Sequence, residues 1–385
     1  MPAGRETGFD PQRVRTSRIE RGLRVVRDRL RADEARVAFV HAGSDADSTY
    51  LGSDAVVVTA DRAVRLVERG DDAGSVREES EHAELRPVDD PVGSVASVVG
   101  ELVGDGGRVL TPRAVRHDAA LFLERAGYDL ASTAALDDAR AVKTPAERDA
   151  VRALGAATGR GFDTAVERLA AAGVADGVLR ENEEPLTADR LARSVAATLA
   201  GGGVGTPGVR VRGVGTDALS AGRPVVVECR PAGPSEERIR AAWTFVVDGD
   251  GGWERRAQLA LDAAHRAGRD RLAAALGGES VTVGTVAGEV RAEVTAYGFE
   301  EPSVTVDGVG VAAHERPRDG EEIESGQVVV VAASVTRDGD ETVSEGRRAD
   351  VVRHVETLCL DSDDGGGVER VVSLPKSLSP SRALD

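Results

Sequence analysis

The longest apolar run in the chain, "VVVVAASV" from Val328 to Val335, restricts the fold more than any other feature. It falls far short of the ~18–20 apolar residues that a membrane-spanning helix needs, so no membrane partner is expected. A short continuous apolar run bounded by polar residues has the pattern of a buried strand. The rest of the chain has to supply its neighbours.

Those neighbours are legible on both sides. Over about the first 135 residues helix-like and strand-like periodicities alternate, as in an α/β domain. Helix-like "RIERGLRVVRDRLRA" leads into strand-like "ARVAFV", "SDAVVVTA", "RAVRLVE" and "GRVLTP", and helix-like "AVRHDAALFLERAG" closes the set. A polar connector, "ALDDARAVKTPAERDAVRALGAATGRGF", opens a second domain. Thr144 ahead of Pro145, with Glu147 three residues after the cap, predicts a helix over about 145–172. Thr187 predicts another over 187–200, and a long helix is expected from Trp253 to Leu276. Thr285 is expected to cap one more, ending at Ala296. The strands "RPVVVECR", "AAWTFVV", "SVTVDGVGV", "GQVVVVAASV" and "ADVVRHVETLCL" complete the second region. A G-x-G-x-x-G match beginning at Gly203 follows a helix and precedes a strand. That is the reverse of the order dinucleotide binding needs, so it reads as a loop.

Charge narrows the function classes. The net charge is −17, from 66 acidic against 49 basic residues, and of the basic ones only Lys143 and Lys376 are lysine. Such a coat repels a phosphate backbone, so nucleic acid is not an expected partner. It suits a salt-rich cytosol of the haloarchaeal kind, where screening relieves self-repulsion. The opening "MPAGRETGFDPQR" has no apolar core of the signal-peptide kind, so a cytoplasmic location is expected. Cys229 and Cys359 are too few for a disulfide framework or a four-thiolate site and read as buried thiols.

The stretch "VDGVGVAAHERP", residues 306–317, holds the adjacent pair His314 and Glu315. A zinc-protease helix needs a second His four positions on, where this chain has Arg318, and Pro317 opposes a continuing helix. Taken alone, the segment is a glycine turn at a strand, carrying a loop His and a loop Glu.

In order along the chain, however, several segments resemble the pita-bread family of aminopeptidase P, prolidase, methionine aminopeptidase and the metal-free creatinase. "STYLG" resembles that family's Tyr-Leu-Thr-Gly strand, and "RAVKTPAERDAVR" its linker helix. "RPVVVECRPAG" and "AAWTFVV" resemble its two aspartate-bearing strands, and "VTVGTVAGEVRAEVTAYGF" its Pro-Gly-x-Thr helix. "VDGVGVAAHERP" stands where the family has Gly-His-Gly-x-Gly-x-x-x-His-Glu-x-Pro, and "IESGQVVVVAAS" where it has a Glu-Pro-Gly strand. The resemblance implies a small N-terminal creatinase-like α/β domain, residues 1–138. A pita-bread domain with a curved, mostly antiparallel sheet would follow over 139–385. The fold class is α/β in the α+β sense, and the family implies a homodimer.

The family's active members hold two metals through Asp, Asp, His, Glu and Glu. By the resemblance these positions fall on Glu228, Arg240, Asp307, Ala332 and either Ala349 or Asp350. The family's second pocket His falls near Val211, while its His-Glu pair falls on His314 and Glu315. The resemblance therefore implies a degenerate pocket with no metal cofactor, in which Arg240, or Arg238 two residues earlier, meets Glu228 or Asp307. The expected role is binding of a small molecule or peptide. The alternatives are residual peptidase chemistry on a single divalent metal at Glu228, Asp307 and Asp350, metal-free hydrolysis through His314, or a purely structural or regulatory dimer subunit.

Overall fold

The computed structural model describes residues 10–43, 45–69, 83–213, 218–337, 350–362 and 367–384. It divides into two compact units, Met1–Glu147 and Arg148–Asp385.

In the first unit, helix α1 (Pro11–Arg31) starts where the Asp10 carboxylate accepts the Gln12 N–H and Pro11 pre-sets the first turn. Its buried Val14, Ile19, Leu23, Val26 and Leu30 recur at helical spacing. All but Val14 belong to an apolar cluster that includes Phe39, Val56, Val58 and Leu110 of the sheet. The strands are β1 (Arg36–Ala42), β2 (Ala55–Val58), β3 (Ala63–Glu68), β4 (Glu84–Val88), β5 (Arg108–Thr111) and β6 (Asp129–Ser132). They run in the order β4-β3-β2-β1-β5-β6, with β1, β5 and β6 mutually parallel. Helix α2 (Ala46–Leu51) corrects the sequence expectation, because "STYLG" is helical and not a strand. Local chemistry decides it. The Asp45 carboxylate accepts the Asp47 and Ser48 N–H groups, the Ser48 hydroxyl accepts the Asp45 N–H, and Gly52 at φ 68° ends the turn. Helices α3 (Val95–Val103), α4 (His117–Arg125) and α5 (Ala135–Ala141) complete the unit. Sequence periodicity had not separated α3, β4 or β6.

The second unit opens with α6 (Pro145–Ala171), whose predicted cap forms: Thr144 N–H donates to Glu147 and Glu147 N–H to Thr144 Oγ1. A small sheet, β7 (Gly173–Ala175), β8 (Val178–Glu181) and β9 (Glu184–Pro185), precedes α7 (Ala188–Gly201), capped by Thr187. Helix α8 spans Trp253–Leu276, as its periodicity predicts. Helix α9 (Val283–Ala296) is capped by Thr282, not Thr285; Thr282 Oγ1 accepts the Thr285 N–H at 3.2 Å. The main sheet comprises β10 (Val209–Arg212), β11 (Val225–Cys229), β12 (Ala241–Phe245), β13 (Ser303–Gly308), β14 (Val328–Thr336), β15 (Val351–Leu360) and β16 (Val368–Arg370). Its order is β10-β11-β12-β15-β14-β13, with β16 on β15, and every described pairing is antiparallel. The apolar run that constrains the fold is thus β14, interior to the sheet between β13 and β15. The glycine-rich match at Gly203 lies in the loop before β10; a Cβ on Gly208 would collide with the Arg230 carbonyl.

Strand alternation gives this sheet two faces. One carries Val225, Val227, Trp243 and Phe245 into a cluster with Leu154, Val195 and Leu199 of α6 and α7. On the same face Val329, Val331, Ala333 and Leu358 join Ala260, Leu261, Val286 and Val290 of α8 and α9. Each such side chain contributes about 1.5–3 kcal/mol by leaving water, which fixes the register of all four strands. Among the described residues no helix is long and apolar enough to cross a membrane.

Candidate functional site

The register decides which side chains share the second face of the sheet. Glu228 pairs with Ala242, Ala242 with Val355, Val355 with Ala332, and Ala332 with Thr305. Directly opposed residues share a face, so these form one transverse row. A second row lies alongside. Arg240 exchanges hydrogen bonds with the Thr357 hydroxyl, Thr357 opposes Val330, and Val330 opposes Asp307.

The two carboxylates on this face are both held by cations. Glu228 Oε1 accepts from Arg230 Nη2 (2.7 Å) and Nε (3.0 Å), and Oε2 accepts from Arg212 Nη2 (3.3 Å). Arg353 Nη2 stands 3.8 Å from the same carboxylate. Burial alone would raise the Glu228 pKa. The Arg230 hydrogen bond and the charges of Arg353, Arg230 and Arg212 outweigh it and hold the carboxyl below its ordinary range. Asp307 is gripped from both sides, by Arg240 Nη2 on Oδ1 and by His314 Nδ1 on Oδ2. Arg238 points elsewhere, donating to the Val311 carbonyl at 3.0 Å.

The loop that presents His314 is pinned by its neighbour. Glu315 is buried, its N–H donates to the Gly308 carbonyl at 2.9 Å, and its carboxylate accepts the Ala312 N–H at 2.9 Å. Gly308 is required there, because a Cβ would collide with the Arg316 carbonyl. Glu315 therefore shapes the pocket by holding the loop that carries His314.

Asp350 does not reach this group. It precedes β15 and is engaged by Arg223 (3.0 Å) and Arg337 (3.7 Å). The β15 residue that opposes Ala332 is Val355, five residues further along a strand that rises ~3.3 Å per residue. Ala349, the other candidate, lies outside the described residues. Val211 stands on β10 opposite Val227.

A divalent pair needs several oxygen or nitrogen donors converging on each ion. This face offers Arg240, Ala332 and Val355 at three positions, and both oxygens of Glu228 and of Asp307 already bind guanidinium or imidazole. The residues present do not fit the dimetal centre, and the single-metal set loses Asp350 by position.

Of the residues named from the sequence, the structure brings Arg240, Asp307 and His314 together and sets Glu228 among Arg212, Arg230 and Arg353, which sequence reasoning missed. "ECR" puts Arg230 on the Glu228 face by simple alternation, a signal available to sequence reading. Arg212 and Arg353 come into place only through the register. In the first unit, His41, Asp45 and Asp47 form a separate group whose ligand atoms all lie within 4.8 Å. There Arg140 already engages Asp47, and burial lowers the His41 pKa against the pull of Asp45. The thiols of Cys229 and Cys359 are pushed up by burial to about 12 and about 11, which leaves them inert.

No family model and no curated protein matches the sequence. Solved structures do resemble the fold over nearly the whole chain. A Xaa-Pro dipeptidase from Bacillus anthracis superposes with TM-score 0.71 at 16% identity, covering 95% of this chain and 99% of its own. The prolidase from Pyrococcus horikoshii OT3 gives 0.71 at 14%, covering 93% and 99%. The dipeptidase PepE from Mycobacterium ulcerans gives 0.70 at 19%, covering 97% and 99%. At these identities the likeness is one of fold, and it agrees with the antiparallel sheet, its helices and the order of motifs along the chain: this chain has the pita-bread fold of the prolidases and Xaa-Pro peptidases.

Proposed function

We propose that this protein binds a small molecule or a peptide on the Glu228–Asp307 face of its pita-bread sheet and does not hydrolyse peptides through a dimetal centre. The observation that carries the reading is the capture of both carboxylates by cations, with Arg240, the residue before β12, at the position where the resemblance would place a metal-binding aspartate. A guanidinium on Asp307 repels an incoming divalent ion and occupies the oxygen it would need. The test is a titration of cobalt, manganese and zinc, followed by melting temperature and by release of proline from Xaa-Pro dipeptides. A ligand that binds only the folded state stabilises it by about 2.7 kcal/mol at a hundredfold excess over Kd. We expect no shift and no activity in molar potassium chloride, where weak binding to the acidic coat is screened. A shift of several degrees that vanishes in Glu228→Ala or Asp307→Ala would overturn the reading.

The Asp307–His314 contact favours one second reading. Asp307 orients the imidazole through Nδ1 and leaves Nε2 of a side chain that is 65% exposed to face solvent. Such a pair can act as a general base without metal. Amide hydrolysis in chelator, lost in His314→Ala, would establish it. A homodimer in a salt-rich cytoplasm belongs to the same proposal and is checked by sedimentation in molar potassium chloride.

A further inference from the structure

The Glu228 carboxylate is surrounded by more hydrogen-bond donors than it can use. Three guanidiniums approach it, those of Arg230, Arg212 and Arg353 at 2.7, 3.3 and 3.8 Å. Each carries about five N–H donors, whereas a carboxylate accepts about four in all. Among the described residues, the buried Nε of Arg353 has no hydrogen-bond partner, and neither does the buried Nε of Arg240 beside Asp307. Buried donors are nearly always satisfied, so these two Nε atoms are free to serve an acceptor that enters this face.

Charge points the same way. Arg212, Arg230, Arg240 and Arg353 stand against Glu228 and Asp307, and Arg210 lies directly opposite Glu228 on β10, so arginines outnumber carboxylates here in a chain whose net charge is −17. The arginines are also graded in depth. Arg230 and Arg212 are 51% and 44% exposed, Arg353 is 22% and Arg240 is 11% exposed. Burial, and then the charges of Arg212, Arg230 and Arg240, make the Arg353 proton harder to hold, against the pull of Glu228. A cation entering here would add to that repulsion, whereas an anion would relieve it. Guanidinium forks match the paired oxygens of an oxyanion, which a single ammonium does not.

We infer that this arginine group binds a doubly charged oxyanion of the phosphate class, with Arg353 at its base and Arg212 and Arg230 at its rim. The inference rests on the binding reading above and names its ligand class.

The test is isothermal titration of the full chain with inorganic phosphate at constant potassium chloride, with glycyl-proline as a separate carboxylate probe. Phosphate should bind once per chain. Arg353→Gln should weaken it by about tenfold or more, the scale of one lost charge-assisted hydrogen bond. Glu228→Gln removes the competing carboxylate and should tighten phosphate by about threefold or more, a gain that a misfolded variant cannot mimic. Phosphate binding that neither substitution changes, or no phosphate binding at all, overturns the inference. Glycyl-proline binding in the absence of phosphate binding overturns the ligand class and leaves the binding reading standing. Stoichiometric divalent-metal binding in the earlier titration overturns that reading itself.

Discussion

Glu228→Gln should destabilise the second unit by about 2–3 kcal/mol at neutral pH in phosphate-free buffer, and the figure follows from the exposure of its partners. The Glu228 side chain is 3% exposed and meets three arginines. Removing one partner of a buried pair costs about 3–5 kcal/mol when the other charge stays stranded. Arg212 and Arg230, each about half exposed, can turn to water, so each of those pairs is worth about 0–1 kcal/mol. Arg353 is more deeply covered and pays the larger part, which puts the total below the fully buried range. At about 2–4 °C per kcal/mol for a unit of this size, the melting temperature should fall by roughly 4–12 °C. The pH dependence has a definite sign. The Glu228 pKa lies below its ordinary 4.5 in the folded state, so the ionised carboxylate stabilises the fold above that value. The contribution is lost as pH falls through the lower folded value. Calorimetry from pH 8 to pH 3 should therefore show a gap between wild type and variant that is steady near neutrality and narrows in acid. Equal stability at pH 7, or a gap that widens in acid, would refute the reasoning.

Gly308→Ala should cost more than about 2 kcal/mol, since the new methyl collides with a backbone carbonyl that cannot move freely; denaturant unfolding measures it, and a cost under 0.5 kcal/mol, or about that, would count against the close approach. Gly155→Ala, in the interior of α6, should destabilise despite the gain of about 1 kcal/mol in helix propensity, because the methyl meets the Val371 carbonyl; a stabilised variant would be the contrary result. His354, stacked on Trp243 at 4.0 Å, is held neutral by burial down to about 3, with His265 adding to the effect and Glu356 opposing it. The unfolded chain then takes up a proton first, so stability should fall as pH drops from 6.5 toward 3, and His354→Gln should flatten that part of the profile. Glu356, held at about 2 because His265 and Arg269 outweigh its burial, adds a second loss, one that begins below 4.5.

Some of this protein is written locally in its sequence. Thr144 with Glu147, Thr187 and the Trp253–Leu276 periodicity each specify a helix through contacts within a few residues, and the structure contains them as read. The Val328–Val335 run implied a buried strand, because it is short, apolar and rich in β-branched valine. Where local chemistry was finer than the motif, the motif misled. "STYLG" resembles a strand of the family, yet Asp45, Ser48 and Gly52 close a helical turn around it. The site divides along the same line. Glu228, Arg240, Asp307 and His314 could be found because motifs in order carry their positions along the chain. Which charges meet could not be found that way. Arg353 and Val355 face Glu228 only because β15 pairs with β12 and β14 in one register, across separations of about a hundred residues in the first case. A slip of one residue would exchange Arg353 and His354 between the two faces of the sheet. Sequence thus determined the capped helices and the buried strand, since these depend on residue identity within a few positions. The arginine cluster was decided by tertiary structure, since strand pairing alone sets which side of a sheet a residue occupies.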